Sequence, residues 1–145
     1  MDKPVWAIVA NGCMARVLER STAEPGHWLE VECLMHPQSR LQGAEAGHDL
    51  PGHSIAGRSG LAPRSDPREH ERREFAQQVA QVLKVAVGAH RVGRIVVFAS
   101  NPFLGELLAH LDDESRKRVS ESHALDLTGL GLQALEQRLH GEFRL

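Results

Sequence analysis

The chain has 145 residues, of which 41% are hydrophobic, so it is about the size of one ordinary domain and can bury a single core without disulfides or metals. Its 17 Lys and Arg residues are balanced by 19 Asp and Glu residues, so net charge favours neither nucleic acid nor an anionic membrane as a partner, and such binding would need a local patch. No run approaches the roughly 18 apolar residues of a membrane span, and the first apolar segment is too short for a signal peptide; we expect one cytoplasmic domain over residues 1–145 with no membrane partner.

Three short apolar runs open the chain. VWAIVA and MARVLE flank Asn11-Gly12, a pair typical of two-residue hairpin turns. After turn-forming residues, HWLEVECLMH alternates from Trp28 through Val31 and Cys33. This pattern predicts an N-terminal antiparallel three-strand meander, whose exposed edge strand leaves a homodimer by edge pairing open. Cys13 and Cys33 fall inside these apolar runs, and we expect them to be buried, reduced thiols.

Residues 37–66 show no apolar periodicity and contain five glycines and three prolines. We therefore predict a long polar loop. Loops beyond roughly 12 to 15 residues are uncommon in compact domains and are typically either functional or disordered. This segment is the main functional candidate in the sequence.

Regular structure resumes at SDPREHERREFAQQVAQVLKVAVGAH. Asp66 is placed to cap a helix, Pro67 takes its first position, and Phe75, Val79, Val82, Leu83 and Ala86 recur at helical spacing. We expect an amphipathic helix of about six turns that ends near Gly88.

The remaining sequence alternates strands and helices. RIVVFA reads as an interior strand covered on both faces. The elements predicted after it are a helix FLGELLAHL opened by Asn101-Pro102, a short helix capped by Asp112 and ending at Arg118, an extended segment Val119 to Leu127, and a closing helix capped by Thr128. The predicted fold class is α/β, a single domain with a mixed sheet and flanking helices.

GHSIAGRS, from Gly52 to Ser59, differs by one residue from the phosphate-binding loop G-x-x-x-x-G-K-[ST]. That motif needs a strand before it and a helix after it. The flanking AEAGHDLP and GLAPRSDP predict neither, and Arg58 stands where the motif has lysine. We therefore expect no phosphate-binding loop of the nucleotide-hydrolase type.

The loop also contains polar residues that could serve catalysis or metal binding. Ser54 lies in an incomplete G-x-S-x-G motif with no strand leading into it. Four histidines and two aspartates lie in or beside the loop, but they show no metal-binding spacing. They are His36, His48, His53, His70, Asp49 and Asp66. We predict no metal and no cofactor.

Arginines are concentrated in the loop and in the first two turns of the helix that follows it. Arginine binds phosphate in a forked geometry, and helix N-termini attract anions. Against such a site, Glu69, Glu71 and Glu74 can pair with arginines on the helix surface. The predicted anion or RNA site comprises Arg40, Arg58, Ser59, Arg64 and Arg68, with Arg72 and Arg73 in the same cluster. Ser100 and Asn101 form a second candidate region, because ligands of open α/β sheets bind beyond the carboxyl ends of strands.

Several motifs in this order resemble the bacterial family named "protein required for attachment to host cells". They are VWAIVANGCMARVLE, HP-x-x-R at His36 to Arg40, D-x-P-G-x-S-x-x-G-R-S from Asp49 to Ser59, DPREHERREFAQQVAQVL, RIVVFASNPFLGEL, and DLT at Asp126 to Thr128. The family is similar in layout to the middle domain of archaeal and eukaryotic peptide-chain release factors. The resemblance implies a ribonuclease-H-like fold in which a long loop follows the leading strands. The Gly-Gly-Gln of release factors is absent from the sequence.

The sequence leaves three functional hypotheses open. The first is a non-enzymatic binding protein that docks on RNA or the ribosome through the arginine-bearing loop. The second is a hydrolase or phosphoryl-handling enzyme that uses Asp49, His53 and Ser54. The third is a protein-interaction domain whose loop becomes ordered on a partner.

Overall fold

In the computed structural model of the chain, residues 3–36 and 67–145 are described. These residues form one five-stranded sheet and four helices. None of the helices in this part of the chain is long and apolar enough to cross a membrane. The elements in chain order are β1 (Val5–Ala10), β2 (Met14–Arg20), β3 (Trp28–Met35), α1 (Pro67–Gly88), β4 (Arg94–Ala99), α2 (Phe103–His110), α3 (Asp113–Arg118), β5 (Val119–His123) and α4 (Leu132–Gly141).

The sheet is mixed, as predicted. Its strand order is β3-β2-β1-β4-β5. The first three strands form the predicted antiparallel meander, and β4 lies parallel to both β1 and β5. In register, Ile8 of β1 lies between Val17 of β2 and Val97 of β4. The parallel strands therefore give the sheet a carboxyl end, at which β1, β4 and β5 finish, and an amino end, at which they begin.

Helices cover the sheet on both faces. Helices α1 and α2 pack on one face through side chains such as Phe75, Leu83 and Leu107, and α4 packs on the other through Leu135 and Leu139. Every residue of β1 is buried, as is every residue of β4 except Arg94, so these two strands supply apolar side chains to both cores. This accounts for the continuous apolar runs in their sequences.

Helix α1 confirms the sequence prediction. It runs from Pro67 to Gly88, and Phe75, Val79 and Leu83 are fully buried on its sheet-facing side. Asp66, the predicted cap, lies outside the described residues. Each large side chain buried in this way stabilises the fold by about 1.5–3 kcal/mol relative to leaving it in water.

Three predictions for the meander were wrong. Strand β3 does not keep its alternation: its register with β2 shifts between Val17 and Leu18, and Val31 is 39% exposed. Cys13 and Cys33 are exposed rather than buried, because the first lies in the turn between β1 and β2 and the second on the edge strand. The turn itself has three residues, Asn11 to Cys13, instead of two.

The end of the chain also differs from its prediction. Asp112 caps α3 as expected, accepting a hydrogen bond from Ser115 N, and hydrogen bonding from Ser115 holds the pKa of Asp112 below its usual value. However, β5 ends at His123, and α4 begins at Leu132 after Gly131, so Thr128 does not cap it. The Thr128 hydroxyl donates instead to Asp126.

Candidate functional site

Several segments without regular structure meet at the carboxyl end of the sheet. The turn Asn11 to Cys13 follows β1, Ser100 and Asn101 follow β4, and residues 124–131 lead from β5 to α4. His36, at the end of β3, joins them, because its N–H donates to the carbonyl of Cys13. This is the region in which open α/β sheets bind ligands.

The Asn11 side chain connects two of these segments. Its Oδ1 accepts hydrogen bonds from the backbone N–H groups of Cys13 and Met14, at 2.8 and 3.0 Å. Its Nδ2 donates to Asp126 Oδ2 at 3.0 Å and to Thr128 Oγ1 at 3.1 Å. The amide thus fixes the β1–β2 turn and ties it to the DLT sequence more than 100 residues later.

A second connection runs through Arg16, which is only 8% exposed. Its guanidinium donates to the Glu30 carboxylate through Nε and Nη2, with the shortest distance 2.7 Å. The remaining nitrogen, Nη1, donates to the backbone carbonyls of Thr128 and Leu130. Arg16 therefore holds the segment after β5 against β2 while its charge is balanced by Glu30 on β3.

The Asp126 carboxylate is held in its ionised form. Partial burial raises the pKa of Asp126, but hydrogen bonds from the Thr128 hydroxyl, the Asn11 amide and the Thr128 N–H outweigh burial, and the pKa lies below its usual value. Hydrogen bonds to a carboxylate favour the charged form. The carboxylate is accordingly occupied by neighbouring donors of the same chain.

The segment 37–66 is attached to the rest of the chain at this end of the sheet. On one side, the His36 ring is 2% exposed, meets the Phe75 ring edge-on at 5.4 Å, and has Nε2 3.6 Å from Glu74 Oε1. On the other side, Arg72 in the second turn of α1 lies over Gly12, where an added Cβ would be 3.9 Å from Arg72 Cγ. His36 and the second turn of α1 therefore both pack beside the β1–β2 turn.

Most of the predicted site residues lie outside the described residues. These are Arg40, Asp49, His53, Ser54, Arg58, Ser59 and Arg64.

Arg68, in contrast, is described, and it is exposed on the first turn of α1. The predicted arginine–glutamate pairing is confirmed for Arg73, whose Nη1 is 3.6 Å from Glu69. Within the described part of the chain, Arg72 Nε is buried without a hydrogen-bond partner. In the same residues, no group of three or more His, Cys, Asp or Glu side chains is arranged to hold a metal ion.

The sequence reasoning missed the two side chains that organise this region. Asn11 was read only as a turn residue, and Arg16 was not singled out at all. An arginine at an interior position of an otherwise apolar strand was the available signal, because a buried guanidinium needs a carboxylate and carbonyl partners. Asp126 was predicted only as part of the DLT motif, and Thr128 only as part of that motif and as a helix cap.

Comparison with protein families gives one match that spans most of the chain. The family model described as "Protein required for attachment to host cells" matches residues 6–139. The chain belongs to this host-attachment family. The match includes Asn11, Arg16, Asp126 and Thr128, so the connections described above lie within the family's shared region.

The other comparisons add little about function. Comparison with curated proteins gives no match. Among solved structures, the chain is similar to one described as "Archaeal protein", with 11% sequence identity and a TM-score of 0.49. The similarity covers 96% of this chain and 34% of the archaeal one, so the chain spans about a third of that protein's length.

Proposed function

We propose that this member of the host-attachment family is a non-enzymatic cytoplasmic protein that docks on RNA, on its own or within the ribosome, through the arginine-bearing segment 37–66. The observation that carries the proposal is the placement of His36 and the second turn of α1, which flank this segment in sequence, beside the β1–β2 turn at the carboxyl end of the sheet. In this proposal, the rigid sheet presents the segment, and any effect on host attachment is indirect.

The chemistry of the segment supports an anionic partner. Arg40, Arg58 and Arg64 lie within it, and Arg68 follows on the exposed first turn of α1. Guanidinium groups bind phosphate through parallel N–H donors. The whole chain carries a formal net charge of −2, so RNA binding would depend on this local concentration of arginine.

The layout of the fold also supports docking on RNA or the ribosome. Three leading strands in an antiparallel meander are followed by a long segment, a helix and parallel strands. We propose that this arrangement is ribonuclease-H-like and corresponds to the middle domain of release factors, in which the equivalent loop acts on the ribosome. Because this chain has no Gly-Gly-Gln, the proposal includes docking and excludes peptidyl-tRNA hydrolysis.

An enzymatic role for Asp49, His53 and Ser54 stays a prediction of the sequence, since all three lie outside the described residues. Ser54→Ala separates this alternative from docking: it leaves RNA binding intact under our proposal, whereas a hydrolase that used Ser54 as its nucleophile would lose turnover.

The proposal is tested by cosedimentation of the purified protein with ribosomes. We expect the wild-type protein to pellet with ribosomes and the double variant Arg58→Ala, Arg64→Ala to remain in the supernatant. The matched control is the double variant Arg94→Ala, Arg138→Ala. It also removes two positive charges, but at arginines outside the segment that each pair with a glutamate. If both double variants pellet as the wild type does, docking does not depend on the segment and the proposal is wrong.

A further inference from the structure

A cavity of about 470 Å³ opens at the amino end of the sheet, opposite to the candidate site. Three parts of the chain that are distant in sequence form its walls: the residues leading into β1, the turn between β2 and β3, and the C-terminal segment after α4. The lining residues include Lys3, Pro4, Arg20, Ser21, Gly26 and His140. None of the motifs in the sequence pointed to this cavity.

Basic side chains dominate the charge of this cavity. Lys3, Arg20 and His140 line it, and an adjoining cavity of about 440 Å³ shares His140 and adds Arg144. Among the described residues, no Asp or Glu side chain lines either cavity.

The cations of this cavity differ from most arginines of the described chain in having no partner there. Within the described residues, the side chains of Lys3, Arg20 and Arg144 make no hydrogen bond or ion pair. By contrast, Arg73, Arg94 and Arg138 each pair with a glutamate. The cavity therefore gathers cations whose charge is not neutralised by a neighbouring side chain.

The turn that forms one wall is shaped by its own hydrogen bonds. Ser21 Oγ accepts from the N–H groups of Ala23 and Glu24, at 3.2 and 3.1 Å, and Ser21 N–H donates to the His27 carbonyl at 2.9 Å. Gly26 has φ of +85°, a conformation that side-chain-bearing residues rarely adopt. The backbone at the mouth of the cavity is thus specified by sequence.

The position of Lys3 is fixed by a close approach to Gly93. Gly93 N–H donates to the Pro4 carbonyl at 2.9 Å, and a Cβ at residue 93 would lie 2.8 Å from Lys3 Cβ. Only glycine permits this contact without a shift of the backbone. The backbone and Cβ of Lys3 are therefore held at the wall of the cavity.

We propose that this cavity binds a small phosphomonoester of about the size of a mononucleotide. A dianionic phosphate matches Arg20 and Lys3, which can supply forked and point-charge hydrogen bonds respectively. The cavity volume is within the range of ligand pockets, roughly 300–1,000 Å³, and leaves space for the organic part of the ligand. The site is at the end of the sheet opposite to His36 and is independent of the RNA-docking proposal.

The test is a ¹H–¹⁵N NMR titration of the full chain with adenosine 5′-monophosphate, inorganic phosphate and adenosine. We expect both phosphates to shift the amide signals of residues 20–26 and 140–145, and adenosine alone to shift none of them. Arg20→Ala should weaken binding of the monophosphate by about tenfold or more, because it removes charge-assisted hydrogen bonds. Lys3→Ala should weaken it in the same direction.

The matched control is Arg116→Ala, which makes the same charge change on α3, outside both cavities. We expect it to leave the affinity for the monophosphate unchanged. Three results would overturn the proposal: no shifts of these amides at about 10 mM ligand, a concentration well above a dissociation constant of 1 mM; equal weakening by Arg116→Ala and Arg20→Ala; or shifts centred on the carboxyl end of the sheet. Because Arg20 has no described partner and is not fully buried, its replacement should not affect folding, and unchanged positions of distant amide signals check this.

Discussion

Replacing Asn11 with alanine should remove the side chain that ties the β1–β2 turn to the segment after β5. Two of its hydrogen bonds are accepted from the backbone of the turn, and two are donated to Asp126 and Thr128. Net contributions of individual hydrogen bonds are about 0.5–1.5 kcal/mol. Since two of the four are exposed, we use the lower part of that range, so their sum is about 2 kcal/mol.

This loss should be visible in equilibrium unfolding. Trp6 and Trp28 are each 2% exposed and lie in the two separate cores, so tryptophan fluorescence in urea reports on both. For a chain of this size, a loss of about 2 kcal/mol corresponds to a fall in Tm of roughly 4–8 °C. A change in unfolding free energy below about 0.5 kcal/mol, the usual range of inert surface substitutions, would refute the structural role given to Asn11.

Asn11→Asp provides the matched variant. It keeps an oxygen that can accept from the turn, loses the donors to Asp126 and Thr128, and places a second carboxylate beside Asp126. We expect the destabilisation by Asn11→Asp at neutral pH to diminish as the pH falls, because one of the two carboxylates is then protonated. The destabilisation by Asn11→Ala should not diminish for this reason, because that variant has no such carboxylate pair.

Three further predictions concern other parts of the fold. The pKa of Asp126 is lowered in the folded state, so the stability that this carboxylate contributes is present above the usual carboxyl pKa and is lost as the pH falls through the folded value. In urea unfolding, Asp126→Asn should therefore be less stable than the wild type at about pH 6 to 7 and should converge with it in acid. Leu135→Ala empties a fully buried site and should cost about 2–5 kcal/mol, whereas Leu132→Ala, on the same helix but 36% exposed, should cost less than about 1 kcal/mol; equal costs would contradict the packing of α4. Gly93→Ala forces a Cβ to within 2.8 Å of Lys3 Cβ and should lower the free energy of unfolding by about 1–3 kcal/mol in the same assay. It should also weaken phosphomonoester binding. An unchanged unfolding midpoint would contradict the close approach of residue 93 to Lys3.

Local sequence signals were sufficient to predict an element where one physical cause determines its structure. The apolar runs of β1 and β4 and the helical spacing in α1 predicted these elements, because burial of a periodic apolar face determines each of them. Asp112 was recognised as the cap of α3 from its own side chain, which accepts from Ser115 N as expected.

The failures occur where tertiary contacts override a local signal. Thr128 is a good helix cap by residue type, but its hydroxyl donates to Asp126 and its Oγ1 accepts from Asn11, so α4 begins only at Leu132. Cys33 alternates like a buried strand residue, yet its strand is at the edge of the sheet, where nothing in the described chain covers it.

Of the two candidate sites, only the arginine-bearing segment could be predicted from the sequence, for a related reason. The arginine concentration of segment 37–66 is contiguous in sequence and could be recognised at once. The phosphomonoester cavity combines Lys3, Arg20 and His140, which only the fold brings together. Likewise, the contact of Asn11 with Asp126 spans 115 residues, and no local pattern in either segment predicts it.

The most direct test of the RNA-docking proposal is the affinity of the protein for labelled tRNA measured as a function of salt concentration. Contacts between Arg40, Arg58, Arg64 and Arg68 and phosphates predict that the logarithm of the association constant falls linearly with the logarithm of salt, with a slope of about −3. Removing Arg58 and Arg64 should reduce that slope by about 1 for each arginine. No binding at low salt, or the same slope in the double variant, would contradict the proposal.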